Sequence, residues 1–432
     1  MNVQIWPSDA SFGLDGRPRS MATNTLRKRA AVTIALTSVL TLLALMPSVA
    51  SAQQAPLQFG AFSPGDPYNG RTDGTNALQN TLGRRVDIVN WYQNWGGGEW
   101  ISSVQNHLVN ATLDSGRTPL ITWEPWDPAA GTNQPNFSLS RIAGGEFDAY
   151  IRSWATALRS FGRTINLRPM HEMNGNWYPW AGSVNGNSPG LYVQAWRRMH
   201  DIFVESGASN VRWVWSPNNV DVGGKRMEDF YPGAGYVDVL GVDGYNWGST
   251  APANGGWQSF TRVFKSAYDR LSRLGSQPIW IPEVGSAPEG GDKAAWVRDM
   301  FAKAKTMDRL KAIVWFNENK ERDWRADASP EIAAAFRPGA EGSSARLKLS
   351  VSRRARTGRS ATVRWKATRA ANVKTWHTYL NGRRARVVNS RKAPVLRKRI
   401  ARAGKNRWTV VGRDADGDRV VSASKSFRAI RR

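Results

Sequence analysis

Between Arg168 and Trp180 the chain reads RPMHEMNGNWYPW. An apolar run, TINL (164–167), leads into a His-Glu pair, and a Gly turn follows before Trp177, Tyr178 and Trp180. A carboxylic acid at a strand end, ringed by flat aromatic faces, suits cleavage of a glycosidic bond. The acid protonates the leaving oxygen, while aromatic faces hold sugar rings through their C–H surfaces. A retaining glycosidase needs a second carboxylate across the site, and PIWIPEVGS (278–286) supplies Glu283 after an apolar approach and before a Gly turn. Glu124, in TWEPW, is a third strand-end carboxylate; it reads as a ligand for a sugar hydroxyl that could exchange roles with Glu283. Trp123, Trp177 and Trp180 are candidate sugar platforms, and His171 is expected to orient substrate or the acid. Asn218 joins them as a polar residue at the end of the fifth strand.

These groups need a scaffold that brings distant strand ends to one face. From 58 to 336, strand-like runs alternate with helix-like segments. The predicted strands are 58–62, 86–92, 118–124, 164–172, 211–218, 237–245, 278–286 and 311–319. Helices are predicted near 99–115, 146–161, 190–206, 257–274 and 292–306. Eight buried strands separated by helices predict a (β/α)8 TIM barrel, in which Glu172 ends strand four and Glu283 ends strand seven. A doubly wound open sheet fits less well, because no Gly-rich phosphate loop follows any strand.

Charge divides the chain further. Formal net charge is +26, but residues 53–342 hold 28 Lys/Arg against 29 Asp/Glu, whereas residues 343–432 hold 27 against three. The reading is therefore a near-neutral catalytic domain at 53–336, a Pro/Gly/Ser linker at 337–345, and a basic, Ig-like β-sandwich at 346–432. No nucleic-acid reading element is visible in that basic tail, so nucleic acid is not the expected partner. Anionic cell-wall polymers are, with a passive spacer as the alternative. Arg27-Lys28-Arg29, an apolar stretch to Met46 and small residues at Ala50 and Ala52 read as a secretion signal over 1–52, with an uncleaved anchor as the alternative. The expected location is therefore extracellular, with cell-wall association where the basic tail binds those polymers. There is no cysteine, and the four histidines show no metal-binding spacing. No metal or cofactor is expected, and the chain is expected to act as a monomer.

With these residues in view, the segment 58–336 resembles glycoside hydrolase family 26, best known for endo-β-1,4-mannanases. The family's His-Glu-Met-Asn-Gly string with a following Trp matches His171 to Gly175 and Trp177. The resemblance implies Glu172 as acid/base and Glu283 as nucleophile in a retaining double displacement. It also implies Tyr245 as the partner of the nucleophile and Trp315 as a wall of the −1 sugar site. The polysaccharide implied is mannan or glucomannan. Mixed-linkage β-1,3-1,4-glucan and β-1,3-xylan are alternatives, because the family resembled also contains enzymes for them, and WFNENKERDWR (315–325) resembles glucanase-like members at least as much as mannanases; a barrel that only binds glycan is a further alternative.

Overall fold

The structure is a computed structural model; it describes residues 56–96, 104–339, 346–351, 354–368, 373–389, 395–401, 403–413 and 419–431. The expected secretion signal and the end of the predicted linker lie outside the described residues.

Eight parallel strands close into a barrel in chain order: β1 (Gln58–Phe62), β2 (Ile88–Asn94), β3 (Thr118–Glu124), β4 (Ile165–Pro169), β5 (Val211–Trp215), β6 (Val239–Asn246), β7 (Ile279–Ser286) and β8 (Leu310–Phe316). Closure is made by Gln58 to Phe62 of β1 pairing with Ala312 to Phe316 of β8. Helices intervene as α1 (Asp73–Leu82), α2 (Asn106–Asp114), α3 (Leu139–Gly144), α4 (Asp148–Ser160), α5 (Pro189–Glu205), α6 (Phe260–Leu274), α7 (Lys293–Ala304) and α8 (Pro330–Ala335). Several starts are written in the sequence: the side chains of Ser188, Ser259, Asp292 and Ser329 each accept a bond from the backbone N–H three residues on. In α5 and α8, proline fills the next position, where no backbone donor is needed.

Alternation along the strands sorts every side chain to one of two layers. Ile88, Leu120, Val214, Val239, Trp280, Ala312 and Val314 fill the barrel interior. Their neighbours in sequence, such as Val89, Ile121, Trp213, Leu240, Ile279 and Ile313, face the helices in one large core. Gly60 allows the interior to close, since a Cβ there would lie 2.8 Å from that of Ile88.

Two differences from the predicted elements bear on the site. Strand four stops at Pro169 rather than running to Glu172, because Met170 (φ 46°) and Glu172 (φ 53°) adopt left-handed backbone that no strand contains. The short helices α1, α3 and α8 escape prediction; at six to ten residues each offers little periodicity to detect.

After the barrel come two sheets with one core. The five-stranded sheet has the order β10 (Arg354–Arg356), β16 (Arg419–Ile430), β15 (Gly404–Arg413), β12 (Thr375–Leu380), β13 (Arg383–Asn389). The three-stranded sheet has the order β14 (Val395–Arg399), β11 (Ser360–Thr368), β9 (Arg346–Val351). Trp365 and Leu396 from one sheet pack in the same cluster as Trp376, Trp408 and Phe427 from the other. Asn381 and Gly382 form the turn of the β12–β13 hairpin, with φ of 51° and 79° as a two-residue turn of this kind demands.

Candidate active site

The barrel mouth is built from inward-facing residues near the strand ends. Arg168, on β4, has no solvent exposure. Its guanidinium donates to Asp243 Oδ1 at 2.8 Å and to Glu283 Oε2 at 2.8 Å, and it also meets Thr122 Oγ1 from Nε (3.0 Å) and Nη2 (2.8 Å). Ser216 donates to the other oxygen of Asp243 at 2.7 Å. A buried cation thus lies between two carboxylates, with Thr122 taking two further N–H groups, and a charge so deeply buried requires such pairing.

Glu283 receives three side chains. Tyr92 donates to Oε2 at 2.7 Å beside Arg168, and Tyr245 donates to Oε1. The β7 ladder slips in register between Ile281 and Val284, which re-aims the strand at this residue. Gly285, paired with Tyr245, leaves room for that ring: a Cβ would come within 2.9 Å of it.

Glu172 sits beyond the end of β4 on a loop latched to the β5 loop. Asn174 accepts from Asn218 N at 2.8 Å and donates to Asn218 O, Val220 O and Asp221 Oδ1. The latch positions Asn218 to donate to Glu172 Oε1 at 2.6 Å, while Trp177 Nε1 donates to Oε2 at 2.7 Å. Gly175 is needed beneath Trp177, because a Cβ would lie 2.6 Å from the indole. The string HEMNGNW is therefore one device for fixing a carboxyl group. Burial, and next the charge of Glu283, push the Glu172 carboxyl up to about 7, against the opposing pull of its two donors and Arg168.

Glu124 ends β3 on the same face, accepting from Trp126 Nε1 at 3.3 Å, and burial pushes its carboxyl up to about 7 as well. His171 lies with Nδ1 4.0 Å from Glu124 Oε1 and Nε2 3.0 Å from Tyr178 Oη. Burial, reinforced by Arg168, holds its pKa well below the ordinary range, so the ring is neutral. Nδ1 has no hydrogen-bond partner among the described residues.

The structure thus gathers Glu172, Glu283, Tyr245, Asn218, Trp177, Glu124 and His171 at one mouth. Three predicted sugar-binding tryptophans are elsewhere. Trp123 is fully buried among Trp95, Tyr150, Trp154 and Phe203, on the helix side of β3. Trp315 is likewise fully buried against Trp296 and Phe336, its Nε1 bonded to Trp324 O. Both corrections have one cause: neighbours along a strand face opposite ways, so Glu124 and Phe316 in the mouth send Trp123 and Trp315 to the helices. Trp180, 1% exposed, donates to His171 O at 2.7 Å and stacks on Tyr178, so it braces the loop and offers no face to a sugar. Trp177, at 38%, does offer one.

Arg168, Tyr92 and Asp243 were missed as site residues. The same alternation would have found Tyr92 and Arg168, since Asn90 and Tyr92, Thr122 and Glu124, Asn166 and Arg168 face inward across β2, β3 and β4, and Asp243 alternates inward with Tyr245 along β6. Phe62, Phe316, Trp324 and Ala287 pack with Tyr92, Tyr245 and Trp247 in a second cluster at the strand ends.

The sequence profile of glycosyl hydrolase family 26 matches residues 52–305. Endoglucanase H of Acetivibrio thermocellus is 40% identical over 268 residues, covering 60% of this chain and 28% of that protein. A mannan endo-1,4-β-mannosidase of Bacillus subtilis is 28% identical over 263 residues, covering 58% of this chain and 62% of that protein. The chain thus spans less than two-thirds of either relative. The solved structure of a modular endo-β-1,4-mannanase from Cellulomonas fimi aligns over 87% of this chain and 94% of its own, at 16% identity and a TM-score of 0.49. By the match over 52–305, the chain belongs to glycosyl hydrolase family 26.

Proposed function

We propose that this protein is an extracellular retaining endo-glycosidase that cleaves β-1,4-linked mannan or glucomannan, with Glu283 as nucleophile and Glu172 as acid/base. The observation that supports the roles is the asymmetry of the two carboxyls. Three donors, one a charged guanidinium, converge on Glu283 and suit a carboxylate that attacks the anomeric carbon. Glu172, pushed up to about 7, holds a proton to give to the leaving oxygen near neutral pH. Once Glu283 is esterified its charge is gone, one cause of the raised Glu172 value disappears, and Glu172 becomes the base that deprotonates the incoming water. Trp177 spans both tasks, fixing Glu172 through its indole N–H and offering its exposed ring to a sugar.

One observation favours a second substrate. Identity is 40% to Endoglucanase H against 28% to the Bacillus subtilis mannanase, which supports a glucan chain in the same cleft, the mixed-linkage polymer being the one to test. Release of reducing ends from galactomannan, glucomannan, barley mixed-linkage glucan and β-1,3-xylan in parallel separates these readings. Preferred release from galactomannan supports the mannanase reading, and release from the mixed-linkage glucan alone keeps the mechanism and replaces the substrate. No release from any of the four would overturn the hydrolytic reading for these polymers.

A further inference from the structure

The charge of the C-terminal region has an ordered component. Along β11, Ala361, Val363 and Trp365 are buried, and Arg364 and Lys366 between and beyond them are exposed. In the adjoining ladder Arg397 of β14 lies opposite Thr362, and Arg399 opposite Ser360. On the other side Lys348 of β9 lies directly opposite Lys366, and Ser350 opposite Arg364. Lys348, Lys366, Arg364, Arg397 and Arg399 therefore share one outward face and cross it diagonally from β9 to β14, interleaved with hydroxyls. With strands ~4.8 Å apart and ~6.8 Å between alternate residues, the stripe is about 20 Å long.

None of the five pairs with a carboxylate among the described residues. The only acidic residues from 343 onward are Asp414, Asp416 and Asp418, outside the described residues. Like charges directly opposite, as in Lys348 and Lys366, destabilise a sheet unless an anion lies between them. A linear polyanion running along the diagonal meets that need. The residues between the cations are Ser350, Ser360, Thr362 and Val395, with no aromatic ring on which a nucleobase would stack, whereas hydroxyls suit a sugar chain.

We propose that this stripe docks a linear polyuronate, an anionic polysaccharide, through its carboxylates. The inference goes beyond the hydrolytic reading and does not depend on it. The test is retardation of the full chain in native gels containing polygalacturonate, poly(glycerol phosphate) or neutral dextran. The R364E/K366E/R397E variant is compared with R383E/R384E/R386E, which makes the same charge change at exposed positions of β13, none of them opposite another cation on β12. Expected is binding to polygalacturonate, lost in 0.5 M salt, weakened about tenfold or more in the stripe variant and little changed in the control. Binding of poly(glycerol phosphate) without polygalacturonate would overturn the proposal. Resistance of the 346–432 region to limited proteolysis, read by mass spectrometry, reports folding; should the reversal disturb it, R364Q/K366Q/R397Q replaces that variant. Equal loss in both variants, no binding to either polyanion, or tighter binding of a single-stranded DNA oligonucleotide would each overturn the proposal.

Discussion

Replacing Glu172 by glutamine removes a titrating group and should reveal what the site costs the fold. A carboxyl raised from 4.5 to about 7 is harder to ionise in the folded chain than in the unfolded one. Below pH 4.5 both states are protonated and nothing is lost. As pH rises towards 7 the unfolded chain ionises first, so the folded state is progressively destabilised. Integration gives about 0.8 kcal/mol at pH 5 and about 3.3 kcal/mol at pH 8. Glutamine escapes this penalty but cannot accept from both donors: its amide NH2 must face either Asn218 Nδ2 or Trp177 Nε1. That mismatch costs about 1–3 kcal/mol, at every pH alike. The diagnostic is therefore a slope. Relative to the parent, the melting temperature of Glu172→Gln should climb between pH 5 and pH 8 by about 5 °C, the equivalent of about 2.5 kcal/mol. Glu124, with a similarly raised pKa, titrates in both proteins and cancels. Differential scanning calorimetry across that range is the assay, with hydrolysis followed on the same samples and expected to fall by about 10²–10⁴. A melting difference that stays flat or falls with pH would refute the reasoning, because Glu172 would then not carry the raised pKa its role requires.

Tyr245→Phe removes one donor from Glu283 and leaves Tyr92 and Arg168 in place. Turnover is expected to fall about 10- to 100-fold with the melting temperature little changed, as steady-state kinetics and a thermal melt would show. Trp123→Phe should lower the melting temperature and leave KM unaltered, since that ring is in the core, whereas Trp177→Ala should raise KM and lower kcat with little loss of stability. Opposite outcomes for the two tryptophans would restore Trp123 to the cleft.

Much of this architecture is legible in the sequence because buried parallel strands announce themselves as short apolar runs. β1 and β3 have the predicted limits, and the other six are found within a few residues. The two glutamates are legible because each closely follows such a run, Glu172 three residues beyond β4 and Glu283 after the apolar start of β7. What the sequence hid has two physical sources. Abundant tryptophan at strand ends suggested a cleft, yet in strands β2, β3 and β8 the tryptophan is the residue beside the inward one, and alternation sends it to the helices. The second source is the backbone itself. Left-handed turns at Met170 and Glu172 end β4 early, and nothing in RPMHE marks them, since neither residue favours that conformation. Arg168 was read only as part of the motif; its contacts with Asp243 and Glu283 join residues 75 and 115 positions apart and exist only once the barrel closes.

The central claim is that Glu283 forms a bond to the sugar. Incubation with a 2-deoxy-2-fluoro β-glycoside bearing a dinitrophenyl leaving group, chosen from whichever sugar series the polysaccharide panel favours, should trap that intermediate. Peptide mass spectrometry should then find one fluoroglycosyl group, on the peptide containing Glu283 and on that side chain. A label on Glu124 or Glu172, or turnover of the reagent through an inverted product with no label at all, would contradict the account.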